Sequence, residues 1–225
     1  MMTKTPLLRD GVCQILIVDD HPTVRDGLTL QISAQSDLHV CGYADTESEG
    51  LKQVQEMNPD LAIIDISLGE GNGIDLIKKV KAIHPRVKML VLSQYDESLY
   101  AERSLRAGAD GYINKRQCQD DVIGAIRTVL RGQRYLSAKL MQRLVGQAVG
   151  SPQPIEGDPI QRLSDREIHV FRLIGEGLTT AAIANRLKVS IHTIESHRDN
   201  IRRKLVLKNG IELMRQAVQW VIETG

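Results

Sequence analysis

LAIIDISLGEGNG (61–73) is the stretch on which the reading of this chain turns. Its first six residues are apolar except for one carboxylate, Asp65. An acid in such a run is costly to bury without partners, so the sequence must supply them or give the acid a task. Working outward, four further short apolar runs are found: QILIVDD (14–20), HVCGYA (39–44), KMLVLS (88–93) and GYINK (111–115). Their continuous apolarity fits strands buried on both faces. Helical patterns lie between them, with Leu51, Val54 and Met57 on one face and Ile74, Ile77, Val80 and Ile83 on another. Residues 120–131 read as a fifth helix. Strand and helix in alternation make an α/β domain with a five-stranded parallel sheet.

Beyond that domain, residues 137–149 carry Leu140, Leu144 and Val145 at helical spacing and read as a linker helix. GSPQPIEGDP (150–159), with three prolines and two glycines, is the clearest boundary. Four short helices are expected after it. Ser164 to Glu167 has the form of a capping box, Thr179 and Ser190 can cap the second and third helices, and Asn209 the fourth. The tight turn Lys188-Val189-Ser190 describes an all-α, four-helix helix-turn-helix domain. The expected division is 12–134, a linker at 135–159, and 160–225.

Chemistry gathers at the strand ends. Asp19 and Asp20 close the first run, Asp65 the third, Ser93 the fourth and Lys115 the fifth. Ligands of open parallel sheets bind beyond the carboxyl ends of the strands, so these five residues converge on one pocket. Three carboxylates together raise one another's pKa, and a divalent cation relieves that; an all-oxygen set suits Mg²⁺. Asp65, alone in its run, is the best-placed nucleophile, and a carboxylate that attacks phosphorus becomes an acyl phosphate. Ser93 can hydrogen-bond a phosphoryl oxygen and Lys115 can pair with another.

IVDDHP (17–22), LAIIDISLGEGNG (61–73), VLS (91–93) and AGADGYINK (107–115) resemble the receiver domain of two-component response regulators. The resemblance implies a flavodoxin-like fold and phosphotransfer to Asp65 from the phosphohistidine of a sensor histidine kinase. It implies Mg²⁺ held by Asp20, Asp65 and the backbone carbonyl of Ser67, with Asp19 acting directly or through water. It also implies a switch pair, Ser93 and Tyr112, whose ring turns inward once phosphate draws Ser93 in. The sequence departs from the family at Gly69, where proline is usual and whose absence loosens the loop after Asp65, at Arg116, and at Gln94, where a small residue is usual. Gln94 and Tyr95 are both bulky and are expected over the phosphate entrance.

Residues 163–205 resemble the LuxR-type helix-turn-helix, which joined to a receiver defines the NarL/FixJ subclass. On the third helix Ile194, Ile201 and Leu205 form the core face, with His197 packing at its edge. Glu195, Ser196, Asp199 and Arg203 project oppositely, with His192 and Thr193 near the helix start, toward the major groove of double-stranded DNA. Arg198, Arg202, Arg203, Lys204 and Lys208 form a basic rim for phosphates. Ala181 and Ala182 stand where the family often has a lysine and a glutamate, so one phosphate contact is expected to be missing. In the subclass the last helix commonly makes the dimer contact of the active homodimer; Leu213, Ala217 and Val221 are the candidates.

Composition fits this reading. From Ile160 onward there are 11 basic and 7 acidic residues, a balance of +4; the remainder of the chain's 29 and 28 gives 18 and 21, a balance of −3. Three scattered cysteines support neither a disulfide framework nor a zinc site, and no apolar stretch could span a bilayer, so a cytoplasmic, non-membrane protein is expected. A phosphohydrolase working through an aspartyl phosphate would need an acid at position 67, which is Ser67, so the chain reads as a regulator and not an enzyme. A small-molecule sensor would want an aromatic pocket, and aromatics are 3% of the chain. A receiver that regulates through protein contacts without phosphate is disfavoured by the intact five-residue site, though Gln94 and Gly69 keep it open.

Overall fold

The computed structural model describes residues 11–94, 97–115, 118–148 and 159–224. They fall into two compact units, one of residues 11–94 with 104–115 and 118–137, the other of 97–103 with 138–148 and 159–224.

Through residue 130 five strands alternate with helices: β1 (Cys13–Val18), α1 (Pro22–Ser33), β2 (Leu38–Ala44), α2 (Glu47–Met57), β3 (Leu61–Ile64), α3 (Gly73–Ile83), β4 (Lys88–Ser93), α4 (Glu97–Ala107), β5 (Gly111–Asn114) and α5 (Cys118–Leu130); the first unit holds all of these except residues 97–103 of α4. The sheet is wholly parallel, in the order β2-β1-β3-β4-β5. Side chains alternate across it. Ile15, Ile17, Leu61, Ile63, Leu90, Leu92 and Ile113 join Leu28 and Ile32 of α1 and Val122, Ala125, Ile126 and Val129 of α5 in one core. The intervening Leu16, Val18, Ala62, Ile64, Met89 and Val91 are equally buried, as expected for strands with both faces covered.

The edge strand β2 departs from this. Three of its seven residues are half-buried, His39 and Tyr43 are exposed, and its register with β1 shifts at Ile15/Leu16. Two helix faces also differ from the sequence reading. Val54, Ile74, Ile77 and Val80 are buried, but Met57 and Ile83, each at a helix C-terminus, face solvent.

The second unit contains α6 (Ala138–Ala148), a short 3₁₀ turn at Pro159–Arg162, α7 (Asp165–Gly175), α8 (Thr180–Arg186), α9 (Ile191–Lys204) and α10 (Gly210–Thr224). Each of α7 to α10 begins on a side chain that accepts orphan backbone N–H groups. Ser164 and Glu167 form a reciprocal capping box; Thr179 accepts from Ala182 N, Ser190 from Thr193 N, and Asn209 from Ile211 and Glu212 N. Ile168, Phe171, Ile174, Ile183, Ile194, Ile201, Leu213 and Trp220 fill the core, with the Phe171 and Trp220 rings 5.6 Å apart.

α10 corrects one expectation. Leu213 and Ala217 are fully buried, so they are core and not a spare face; the exposed apolar side chains of that helix are Ile211, Met214 and Ile222. An apolar helix with two stripes gives no sequence sign of which stripe turns inward.

Candidate functional site

The pocket residues lie one step past the strands, placed there by continuation of the ladders. Asp19 N–H donates to Ala44 O at 3.0 Å, Asp65 N–H to Val18 O at 2.8 Å and Lys115 N–H to Ser93 O at 2.7 Å. Backbone pairing thus carries the three functional side chains to the same edge, where β1 and β3 are neighbours and their crossovers diverge.

Asp19 and Asp65 are each only 2% exposed, and Ser93 is fully buried. Lys115 Nζ bridges the two acids, 2.7 Å from Asp19 Oδ2 and 2.7 Å from Asp65 Oδ2. Asp65 Oδ1 accepts a hydrogen bond from Ser67 N at 3.3 Å. Burial, with the Asp19 charge adding to it, pushes the Asp65 carboxyl up to about 6 against the pull of Lys115. For Lys115 burial works against the ammonium, but Asp65 and Asp19 outweigh it and the pKa is raised.

Two residues of this site are not singled out by the sequence alone. His21, which reads there only as part of a helix start, is the N-cap position of α1, makes no side-chain cap, and turns its ring toward the acids. Its Nδ1 lies 2.8 Å from Asp20 Oδ1, 3.2 Å from Asp19 Oδ1 and 4.0 Å from Asp65 Oδ2. A histidine directly after two strand-end acids is the available signal. Arg25, one turn into α1, donates from Nη1 to Asp19 O at 2.8 Å and fixes that backbone. Nothing local in the sequence marks that contact.

The donor set fits a divalent cation. One ligand atom each from Asp19, Asp20, His21 and Asp65 lies within 4.8 Å of the others. Asp19 Oδ2 and Asp20 Oδ1 are buried without an aligned hydrogen bond, although Lys115 and His21 stand at ion-pair distance. Such oxygens are costly to leave uncompensated, and a hard cation is the usual remedy.

Tyr112 is 1% exposed, so its ring is already inside. Gln94 is exposed, and Tyr95 and Arg116 lie outside the described residues.

On α9 the structure exposes His192, Glu195, Ser196, Asp199 and Arg203, half-buries Thr193, Arg198, Arg202 and Lys204, and buries Ile194 and Ile201. Lys208, just beyond, is exposed. His197 is half-buried at the edge of the core face, and burial, aided by Arg166, lowers its pKa. Two members of the basic rim already face an acid: Arg202 meets Asp199 at 2.6 Å, and Lys204 meets Glu167 Oε2 at 2.6 Å. The second pair ties the end of α9 to the capping box of α7, since the same Glu167 oxygen accepts from Ser164 N. Burial raises the Glu167 carboxyl, but Lys204 and Ser164 outweigh it and hold the pKa below the usual range.

An open parallel α/β unit with acids and a lysine at its strand ends, followed by a capped helix-turn-helix bundle, defines a two-domain regulator. Residues 15–127 match the response regulator receiver domain, and residues 161–217 match the bacterial regulatory proteins of the luxR family. The chain therefore belongs to the two-component response regulators of the NarL/FixJ type. It is 36% identical over 211 residues to the oxygen regulatory protein NreC of Staphylococcus epidermidis strain ATCC 12228, covering 92% of this chain and 97% of that one. Among solved structures it resembles RcsB of Salmonella enterica serovar Typhimurium bound to promoter P1flhDC in the presence of the phosphomimetic BeF3⁻, at 25% identity and a TM-score of 0.64, over 91% of this chain and 98% of that one. A structure of two RcsB dimers bound to two parallel DNAs matches at 25% identity and a TM-score of 0.55, over 91% and 96%. Among the described residues no helix is long and apolar enough to cross a membrane.

Proposed function

We propose that the chain accepts a phosphoryl group on Asp65 from the phosphohistidine of a sensor histidine kinase, and that this controls binding of the second domain to double-stranded DNA as a dimer. The observation that carries the reading is the Asp65 carboxylate, buried at the strand ends and joined to Asp19 through the Lys115 ammonium.

An Asp65 carboxylate oxygen attacks phosphorus, the P–N bond to the kinase histidine breaks, and the electron pair leaves with the imidazole; Asp65 becomes an acyl phosphate. Lys115, already 2.7 Å from Asp65 Oδ2, turns to a phosphoryl oxygen, and the Ser93 hydroxyl donates to another. Asp19, Asp20, Asp65 and the Ser67 carbonyl would hold Mg²⁺. When bound, the ion supplies positive charge to the pentavalent transition state. Arg25 keeps Asp19 in register through its carbonyl, and Lys115 holds Asp65 before the donor arrives. The readout is a shift of Ser93 and the strand-β5 edge at Tyr112, a local charge event that biases a two-state element.

In the second domain, His192, Thr193, Glu195, Ser196 and Asp199 face base edges while Arg198, Arg202, Arg203, Lys204 and Lys208 meet phosphates. The matching DNA-bound relatives support this. The proposed limits are 12–134 for the receiver, 135–159 for the linker and 160–225 for the DNA-binding domain. Fluorescence binding of the full chain to genomic fragments, with and without beryllofluoride and Mg²⁺, tests the coupling. Tighter binding with beryllofluoride is expected; identical curves would remove phosphorylation from the control of DNA binding.

A further inference from the structure

We infer that Glu47, the first residue of α2, is a positioning residue for the loop that follows Asp65. The inference rests on the reading of Asp65 as phosphoacceptor and of Ser67 as a carbonyl ligand of the cation.

The loop leaves β3 at Asp65 and enters α3 at Gly73. Its exit is pressed against the phosphoacceptor itself. Gly73 N–H donates to Ile66 O at 3.0 Å, and a Cβ on Gly73 would stand 2.1 Å from Asp65 O, so only glycine fits. Its far side is held by Glu47. The Glu47 carboxylate accepts the Asn72 N–H on Oε2 at 2.9 Å, while the Glu47 N–H donates to Glu70 O at 3.1 Å. Thr46 and Glu70 add a single parallel bridge. Between these points Gly71 takes φ 92°, and a Cβ there would meet Glu47 Cβ at 2.3 Å; the Glu47 side chain fills the space. Glu47 is fixed in turn by Lys79 of α3, whose Nζ is 2.6 Å from Oε1. Asn72, buried, caps α3 through its Oδ1 to Ile74 N at 2.7 Å.

This grip acts on the pocket through a short piece of chain. Three residues before Asn72 is Gly69, where a Cβ would lie 3.3 Å from Asp20 Oδ2, and two residues earlier is Ser67, bonded to Asp65 Oδ1. Gly69 has no side chain to brace the loop against Asp20, which is why the sequence leads one to expect a looser loop. Charged and backbone hydrogen bonds from α2 supply the restraint that a stiffer residue at 69 would give, and they do so without touching the reacting atoms. Glu47 therefore sets where the Ser67 carbonyl stands relative to Asp65 and Asp20.

The test uses the full chain and its variants Glu47→Ala, Glu47→Gln and Lys79→Met. Three quantities are read: Mg²⁺ affinity by calorimetry, the rate of acetyl-phosphate labelling at subsaturating Mg²⁺, and amide exchange over residues 66–73. For Glu47→Ala, faster exchange at 70–72 and roughly tenfold weaker Mg²⁺ binding are expected, the scale of one hydrogen bond to a charged group. Labelling should slow by a similar factor and recover at saturating Mg²⁺. Glu47→Gln keeps an oxygen for Asn72 N–H and should recover part of the affinity. Faster exchange with unchanged Mg²⁺ affinity and labelling would reduce Glu47 to a structural contact and overturn the inference. Should Glu47→Ala not fold, Glu47→Gln and Lys79→Met decide the matter: Mg²⁺ affinity weakened in either upholds the inference, and affinity unmoved in both overturns it. If the parent is not labelled at Asp65 but Glu47→Ala still weakens Mg²⁺ binding, the grip stands and the phosphoacceptor reading falls.

Discussion

The acidic pocket and the recognition helix α9 put charge to work under opposite physical conditions. In the pocket, Asp19 and Asp65 are almost wholly buried and Lys115 lies between them. Desolvation dominates there, and it raises the Asp65 carboxyl to about 6. On α9 the working side chains are open or half-open, and their energies are those of surface charges, small singly and screened by salt. The pocket is organised before any ligand arrives, at a cost to the fold. The helix is organised by its core face and its caps, with the reading face left to solvent. Function in the first region is therefore opposed to stability, and in the second nearly independent of it.

The strongest way to break this contrast is through pH. Asp65 has a folded pKa of about 6 and an unfolded one near 4. A carboxyl raised on folding contributes stability below its unfolded pKa and loses it as pH rises through the folded value. Without divalent cations, Asp65→Asn should therefore be more stable than the parent at pH 7.5, by up to about 3 kcal/mol, with the gap closing below about pH 4. Urea denaturation at both pH values measures it. Equal stability at pH 7.5 would mean that Lys115 fully compensates the buried charge.

The helix should behave otherwise. Arg203→Ala or Arg202→Ala is expected to leave stability within about 0.5 kcal/mol. Each should weaken DNA binding and flatten the slope of log K against log salt by up to about one. The smaller change is expected at Arg202, which already faces Asp199. Parent-like slopes in both would leave the basic rim a solvated surface.

The smallest effect concerns the end of α9. Val206 is 82% exposed and has φ 58°, the left-handed conformation that a β-branched residue adopts at a cost. It occupies the position where a helix usually ends in glycine, with Leu207 N bonded to Arg202 O and Val206 N to Arg203 O. Val206→Gly should stabilise the second domain by about 0.5–1 kcal/mol, the relief of left-handed strain less the entropy of glycine. Loss of stability would mean that Val206 makes a contact worth more than its strain.

The two regions also differ in how far the sequence discloses them. The five strands are legible because a run such as LAIIDI has no other good use, and the pocket because Asp19, Asp65, Ser93 and Lys115 each end such a run. His21, Arg25 and Glu47 are not. Their roles depend on contacts that no local pattern records, such as Glu47 with Asn72 and Lys79, 25 and 32 residues away. The core face of α9 is legible from Ile194 and Ile201, but the pairing of Lys204 with Glu167 is not, since it joins two helices 37 residues apart. α10 misleads because Leu213 and Ala217, which read as spare, lie inside, while Ile211, Met214 and Ile222 lie outside.

Everything turns on Asp65, and the most direct measurement is acetyl-phosphate labelling of the purified full chain with Mg²⁺, followed by peptide mapping of the modified residue, for the parent and Asp65→Asn. One phosphoryl group per chain on the peptide containing Asp65, lost in Asp65→Asn, is the expected result. Labelling of Asp65→Asn with unchanged rate and stoichiometry would contradict it.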